Sequence, residues 1–407
     1  MTVRIPARFV ICVLLVTQAQ AASDSPTVDV GVHAGSVPLT LLPQYGSDQD
    51  PACLDGSPYG FYFVPSATNS TKWTVSFQGG GWCYDEVGCY DRSQTDLGSS
   101  KGWNPVGSCS CMNVDGDDLD KTCNCLYLPY GDGASFSGYR AKPWAVPGNS
   151  SQLLTFRGIR NLDASLAWAL QHGLDQATEV VVTGGSAGGL AAFLHMDRVI
   201  ERVRADSPSA KGWGAPVVGY FLDHDNFKHT TGTPNQPDWK QSNYTAWMEY
   251  IYKMQNLTAG ADGGLTAACL SKHADRPGLC FMSPHMQDVI KSPFFVFNSK
   301  YDSWQLQNEL QTDWDTPEKQ AAVLQYGDDF TDQFRAVTQN PKTGAMITSC
   351  ICHSCPWTSL TLDGKTTYAH YADWVTGRTQ GSAAIHIDAR SPNGDGSLTD
   401  DKCSVFP

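Results

Sequence analysis

Glu179-Val-Val-Val-Thr-Gly-Gly-Ser-Ala-Gly-Gly-Leu190 is the stretch that decides the fold. Val180 to Val182 read as a buried strand, Leu190 onward as a helix, and between them Ser186 has a glycine two residues to either side, Gly184 and Gly188. A strand-to-helix turn sharp enough to hold a serine hydroxyl out to a substrate crowds its neighbours, and only glycine leaves room. The turn lacks the lysine of a P-loop and the spacing of a dinucleotide fingerprint, which disfavours a phosphate cradle. Ser186 is the candidate nucleophile.

Such a serine needs a base, an acid to orient that base, and donors for an oxyanion; in the α/β-hydrolase arrangement the side chains follow in the order Ser, Asp or Glu, His. Phe294-Phe-Val-Phe-Asn-Ser-Lys300 predicts a central strand, and Asp302 lies just past its carboxyl end, where such sheets place functional groups. Of the later histidines, His353, His370 and His386, the first is crowded by Cys350, Cys352 and Cys355, and a disulfide-pinned loop is a firm mount for a base. His195, nine residues past the serine, is carried by the helix roughly two turns from the elbow and reads as structural. Upstream, the strand-like Trp73 to Gln78 runs into Gly79-Gly80-Gly81-Trp82-Cys83, the place of the early glycine loop. The amides of Gly80, Gly81 and Ala187 are the candidate oxyanion donors. Trp82, Tyr130 and Trp304 are candidates to line the site, for sugar stacking or an acyl tail, against the ordinary reading of such rings as core.

Further blocks keep the same order: Thr95-Asp-Leu-Gly-Ser-Ser100, Pro129-Tyr-Gly-Asp-Gly-Ala-Ser-Phe-Ser137, Phe156-Arg-Gly158, Leu194-His-Met-Asp-Arg198, Gly219-Tyr-Phe-Leu-Asp223, Tyr301-Asp-Ser-Trp-Gln305 and Ser349-Cys-Ile-Cys-His353. With the glycine and serine motifs they span roughly residues 50 to 375, and the whole resembles the pectin acetylesterase and Notum family of secreted carboxylesterases. The resemblance implies an α/β-hydrolase fold and puts the catalytic Ser, Asp and His on Ser186, Asp302 and His353. Its implied substrate is an acetylated polysaccharide such as pectin or, as in Notum, an acylated protein; a catalytically silent binding protein on the same scaffold is the remaining alternative, against which the presence of all three triad residues argues. Gln78 stands where the family commonly has Glu, Gly131 where many members have Cys, and His353-Ser354-Cys355 where the family has a His-Cys pair.

The amino terminus has the build of a secretory signal: Arg4 and Arg8, the apolar run Phe9 to Val16, then Ala19-Gln-Ala21, which predicts cleavage near Ala21 and export. No later run approaches the roughly 20 apolar residues of a membrane span. Of fourteen cysteines, Cys12 leaves with the signal, so thirteen remain, which permits up to six bridges plus one free or intermolecular thiol. Export favours disulfides over a metal centre, and Cys350, Cys352, His353 and Cys355 do not match a standard zinc spacing, so no metal and no cofactor is expected. Sequons at Asn69, Asn149, Asn243 and Asn256 predict surface loops open to glycosylation. The net charge of −13, about −15 without Arg4 and Arg8, disfavours nucleic acid or an anionic membrane as partner. Nothing in the sequence assigns an oligomeric state.

About 386 residues follow the predicted signal, with no linker or repeat to divide them. One α/β domain over 22–407 is expected, a mostly parallel sheet with helices on both faces. Helices are predicted over Leu162–Gln171 and Leu190–Val203, and insertions near 101–150 and 225–290. Ser391 to Lys402 fails the calcium-loop pattern at both ends and reads as a turn. The acidic run Asp115, Asp117, Asp118 and Asp120 reads as a solvated loop.

Overall fold

A computed structural model describes residues 36–389 apart from 117, 230–241, 261–262, 354, 356 and 358–359. The predicted signal, Asp117, Ser354, Cys403 and the Ser391–Lys402 stretch lie outside the described residues.

Glu179–Gly185 forms the expected strand near the middle of a ten-stranded sheet. Lys72–Phe77 pairs with it on one side and Lys211–Val217 on the other, both parallel. Phe294–Ser299, Thr343–Thr348 and Ile385–Ile387 continue the parallel order outward, and Asn124–Leu128 continues it beyond Lys72–Phe77. Gly60–Val64, Val37–Leu41 and Val106–Gly107 then add antiparallel pairings up to the edge. The region 101–150 is therefore not simply an insertion: Asn124–Leu128 lies within the sheet, between Lys72–Phe77 and Gly60–Val64.

Side chains alternate across a strand, and here they divide between two cores. Val180, Val182, Phe294, Val296, Ala345 and Ile347 face one apolar cluster, while Val181, Phe295, Phe297 and Met346 face the other. Covering both faces is what makes these strands continuous apolar runs rather than alternating ones. On the first face the helix Ala187–Asp206 packs Leu190, Phe193, Val199 and Ile200 inward; on the second the helix Thr367–Val375 contributes Tyr371 and Ala372. The predicted helix near Leu162 runs over Gly158–Leu170, with Ile159, Leu162, Leu166 and Ala169 as its buried stripe.

The acidic run is not wholly solvated. Asp120 is buried, its carboxylate accepting from the Thr122 amide and hydroxyl, each at 2.7 Å, with Lys72 Nζ at 3.3 Å. Between Lys211–Val217 and Phe294–Ser299, the region 225–290 supplies the helices Tyr244–Met254 and Ala267–Lys272, the latter tied by the disulfide Cys269–Cys280.

Candidate active site

Ser186 has φ 59° and ψ −126°, a conformation costly for a side chain with a Cβ. Two features hold it there. Its N–H donates to Val217 O at 3.0 Å, and the flanking glycines let three backbones meet. A Cβ at Gly184 would lie 2.4 Å from Gly188 O, and one at Gly188 would lie 2.2 Å from Phe77 O. The helix begins at Ala187, whose N–H is one of the amides at a helix start that have no partner inside the helix.

The glycine loop follows Lys72–Phe77 and presses on the same turn, since a Cβ at Gly79 would come 2.2 Å from Gly185 O and 3.0 Å from Ser186 Cβ. Gly80 and Gly81 take φ of 136° and 63°, backbone that glycine tolerates. Ser135, itself at φ 48°, clasps both sides of this junction. Its Oγ accepts from the Trp82 indole N–H at 2.9 Å and donates to Ala187 O at 2.8 Å. His195, fully buried, holds the same segment: its Nε2–H donates to Ser135 O at 2.9 Å, with Ser137 Oγ 3.1 Å from the same nitrogen. Burial pushes the His195 imidazole down to about 3, so it stays neutral, in keeping with a structural role.

Asp302 follows Phe294–Ser299 and caps the helix Ser303–Asn308, its Oδ1 accepting from the Trp304 and Gln305 amides at 2.9 and 3.1 Å. The same fully buried carboxylate holds His353 Nδ1, at 2.9 Å from Oδ1 and 2.8 Å from Oδ2. Burial opposes a charge on the imidazole, but the adjacent carboxylate outweighs it and His353 titrates above its ordinary value. His353 Nε2 is shielded from solvent and makes no hydrogen bond, so the serine–histidine link is open in this conformation. Catalytic hydrogen bonds commonly tighten only once substrate is bound.

Of the aromatic candidates, Trp304 is half-buried and stands 6.2 Å from His353, centroid to centroid, while Trp82 packs edge-on to it at 5.5 Å. Tyr130 is a correction. It is fully buried, its hydroxyl accepting from the Ser135 amide at 2.9 Å and its own amide donating to Gln78 Oε1 at 2.8 Å, so it supports the loop rather than offering a face to substrate. Sequence reasoning missed Phe221 and Tyr244, which complete the aromatic group at 5.4 and 6.1 Å from Trp304, and Phe221 also lies 6.4 Å from His353. It also missed Glu309. Buried behind Asp302, its Oε2 accepts from the Leu222 amide at 3.2 Å and from the Tyr326 hydroxyl, while burial pushes its carboxyl well above the ordinary range.

Disulfides bracket two parts of the site. Cys83–Cys89 closes the segment after the glycines, Cys352–Cys355 spans His353, and Cys350 is disulfide-bonded as well. Cys350, Cys352 and Cys355 are thus disulfide sulfurs. Cys109–Cys125 and Cys111–Cys123 clasp the base of the acidic run. Among the described residues Cys53 is the free thiol, buried and pushed up to about 12. It faces Gly131, where a Cβ would stand 2.9 Å from its sulfur. Asn69, Asn149 and Asn256 are exposed, whereas Asn243 caps the helix Tyr244–Met254 by accepting from Ala246 N at 3.0 Å. No helix among the described residues is long and apolar enough to cross a membrane.

Comparison with known proteins gives the family. A family profile described as Pectinacetylesterase matches residues 32–396. Pectin acetylesterase 7 of Arabidopsis thaliana is 29% identical over 346 residues, covering 79% of this chain and 81% of its own. Palmitoleoyl-protein carboxylesterase NOTUM of Schmidtea mediterranea is 25% identical over 347 residues, covering 81% of this chain and 60% of its own. In fold, the structure of the Wnt deacylase Notum from Drosophila superposes with a TM-score of 0.73 at 21% identity, covering 88% of this chain and 98% of that one. An elbow serine, an Asp–His pair at neighbouring strand ends and a matching family profile lead to one conclusion: the chain belongs to the pectinacetylesterase family, the α/β-hydrolase carboxylic ester hydrolases that include Notum.

Proposed function

We propose that the protein hydrolyses carboxylic esters outside the cell with Ser186, His353 and Asp302 as its triad. Ser186 Oγ adds to the ester carbonyl as its proton passes to His353 Nε2, and Asp302 holds the imidazole in the tautomer that leaves Nε2 able to accept. The amides of Gly80, Gly81 and Ala187 receive the tetrahedral oxyanion. His353 then protonates the departing alcohol, and water, deprotonated by the same imidazole, releases the acid from the acyl-enzyme. The observation that carries this reading is the two-oxygen grip of Asp302 on His353 Nδ1, with Nε2 left unoccupied.

For the acyl group, an acetyl ester on a polysaccharide is the first reading. Trp82, Phe221, Tyr244 and Trp304 stand 5.0 to 6.3 Å apart as one aromatic group, of which Phe221 and Trp304 lie 6.4 and 6.2 Å from His353, and such ring faces suit sugar stacking. The names of the plant relatives point the same way. A second reading, removal of a fatty acyl group from a secreted protein, is favoured by the wholly aromatic character of that group and by the Notum-like fold. Hydrolysis of p-nitrophenyl acetate, butyrate, octanoate and palmitate by the native chain and its Ser186→Ala variant separates the two. A Ser186-dependent rate that falls with chain length supports the acetyl reading, a maximum at octanoate or beyond supports the deacylase, and equal rates in both proteins overturn the triad.

A further inference from the structure

We propose that Arg92 is a positioning residue of the oxyanion site, locking the peptide plane between Gly80 and Gly81. This rests on the ester-hydrolase reading above. Both glycines have positive φ, and two successive glycines leave the plane between them free to turn over. In a trans peptide the carbonyl of one residue and the N–H of the next point in opposite directions. Whatever fixes Gly80 O therefore fixes the direction of the Gly81 N–H, one of the amides assigned to the oxyanion.

Arg92 does this with its own guanidinium firmly placed. Nη1 donates to Gly80 O at 2.9 Å and Nε to Leu97 O at 3.1 Å, while the guanidinium carbon sits 4.7 Å from the Tyr130 ring centroid. Nη2 is shielded from solvent and makes no hydrogen bond, so two carbonyls and one ring define the group's position. Tyr130 in turn hangs on Gln78, the residue before the glycines. Arg92 ends the helix Glu86–Arg92, and the Cys83–Cys89 disulfide joins that helix to the residue immediately after Trp82. Leu97 closes the pocket, its Cδ2 lying 2.9 Å from where a Cβ on Gly80 would stand. A planar fork can satisfy two carbonyls at once; an ammonium on a flexible stem cannot hold the same plane.

The test uses the full-length secreted protein and its Arg92→Met, Arg92→Lys and Ser186→Ala variants. It measures p-nitrophenyl acetate turnover and inhibition by an alkyl trifluoromethyl ketone. Ser186 Oγ adds to that ketone, its proton goes to His353, and the carbonyl π pair becomes an oxyanion that mimics the transition state. Removing an oxyanion donor outright costs about 10²–10³ in kcat, so a donor left present but free to turn should cost less. Arg92→Met should lower kcat by about 10–100-fold and Arg92→Lys by about tenfold, with KM changed less than about twofold. The ketone should lose affinity by the same factor as kcat/KM, whereas a non-covalent alcohol analogue should bind as before. If the methionine variant fails to fold by near-UV circular dichroism, the lysine variant, which keeps the charge and the stem, decides. Folded variants with native kcat, with a loss in KM alone, or with unchanged ketone affinity overturn the proposal. An active Ser186→Ala protein overturns the ester-hydrolase reading itself; an inactive one beside fully active Arg92 variants removes only the lock.

Discussion

Asp302 grips His353 Nδ1 with both carboxylate oxygens while its Oδ1 also caps the helix that follows, so one buried side chain orients the imidazole and anchors its own loop. Asp302→Asn should leave the fold in place and lower kcat by about 10⁴-fold, because an amide NH₂ opposite Nδ1 favours the wrong tautomer. Steady-state kinetics on p-nitrophenyl acetate beside a thermal melt checks both halves.

The pH dependence follows from the same pair. His353 must be neutral to accept the serine proton, and its titration is displaced above the ordinary 6.5. The rate should rise with pH along a limb centred above that value, and the limb should move down in Asp302→Asn. Stability runs the opposite way: a raised folded-state value means that the pair's contribution is fully present below about 6.5 and fades as pH rises through the folded value. A kcat/KM profile from pH 5 to 9, with melts at the same points, reads both signs.

Glu309 predicts a stability effect of its own. Its folded-state carboxyl titrates well above the ordinary value, so once the pH exceeds about 4.5 the unfolded chain releases a proton that the native state keeps, and stability falls. Glu309→Gln keeps an oxygen for the Leu222 amide and the Tyr326 hydroxyl and removes the titration. Its melting temperature relative to the native protein should improve between pH 4 and pH 7.5; a difference independent of pH would show that Glu309 is ionised in the fold.

Cys53 and Gly131 stand where a bridge would fit. Across a disulfide, Cβ and the distal sulfur are about 3 Å apart, and the Gly131 Cβ position is 2.9 Å from Cys53 Sγ. Gly131→Cys should therefore form a disulfide with Cys53 and stabilise the fold by about 2–4 kcal/mol. Thiol titration in denaturant should lose one reactive group, and the denaturation midpoint should rise.

Gly79 is the spacing element between the glycine loop and the elbow. Gly79→Ala places a methyl within 2.2 Å of Gly185 O and must push the loop off Ser186. Activity should fall at least about 10²-fold, the scale of losing an oxyanion donor, with a smaller effect on folding. A trifluoromethyl ketone titration alongside kcat distinguishes this from a general loss of protein.

The sequence made some of this architecture plain and hid the rest for physical reasons. Glu179–Gly185 and Phe294–Ser299 were legible because strands covered on both faces carry unbroken apolar runs, here Val180 to Val182 and Phe294 to Phe297. Lys211–Val217 was not: Gly212 and Gly214 lie where Ile200 and Met196 of the elbow helix press in, a Cβ there meeting them at 2.7 and 2.5 Å, so the apolar signal sits in the helix rather than in the strand. Asn124–Leu128 was masked by the cysteines and aspartates before it. Within the site, the order of motifs pointed to Asp302 and His353, which the structure brings together, and to Ser186 on its strained turn, whereas the motif residue Tyr130 lies in the core. Phe221 and Glu309 act through contacts that no local spacing encodes.

The disulfides beside the glycine loop and around His353 make the site's assembly an oxidative event. Under reducing conditions both clasps are absent, and the loop after Trp82 and the segment carrying the imidazole lose their covalent ties. On the ester-hydrolase reading, cleavage then depends on an oxidising compartment, and reducing the native chain should lower its kcat.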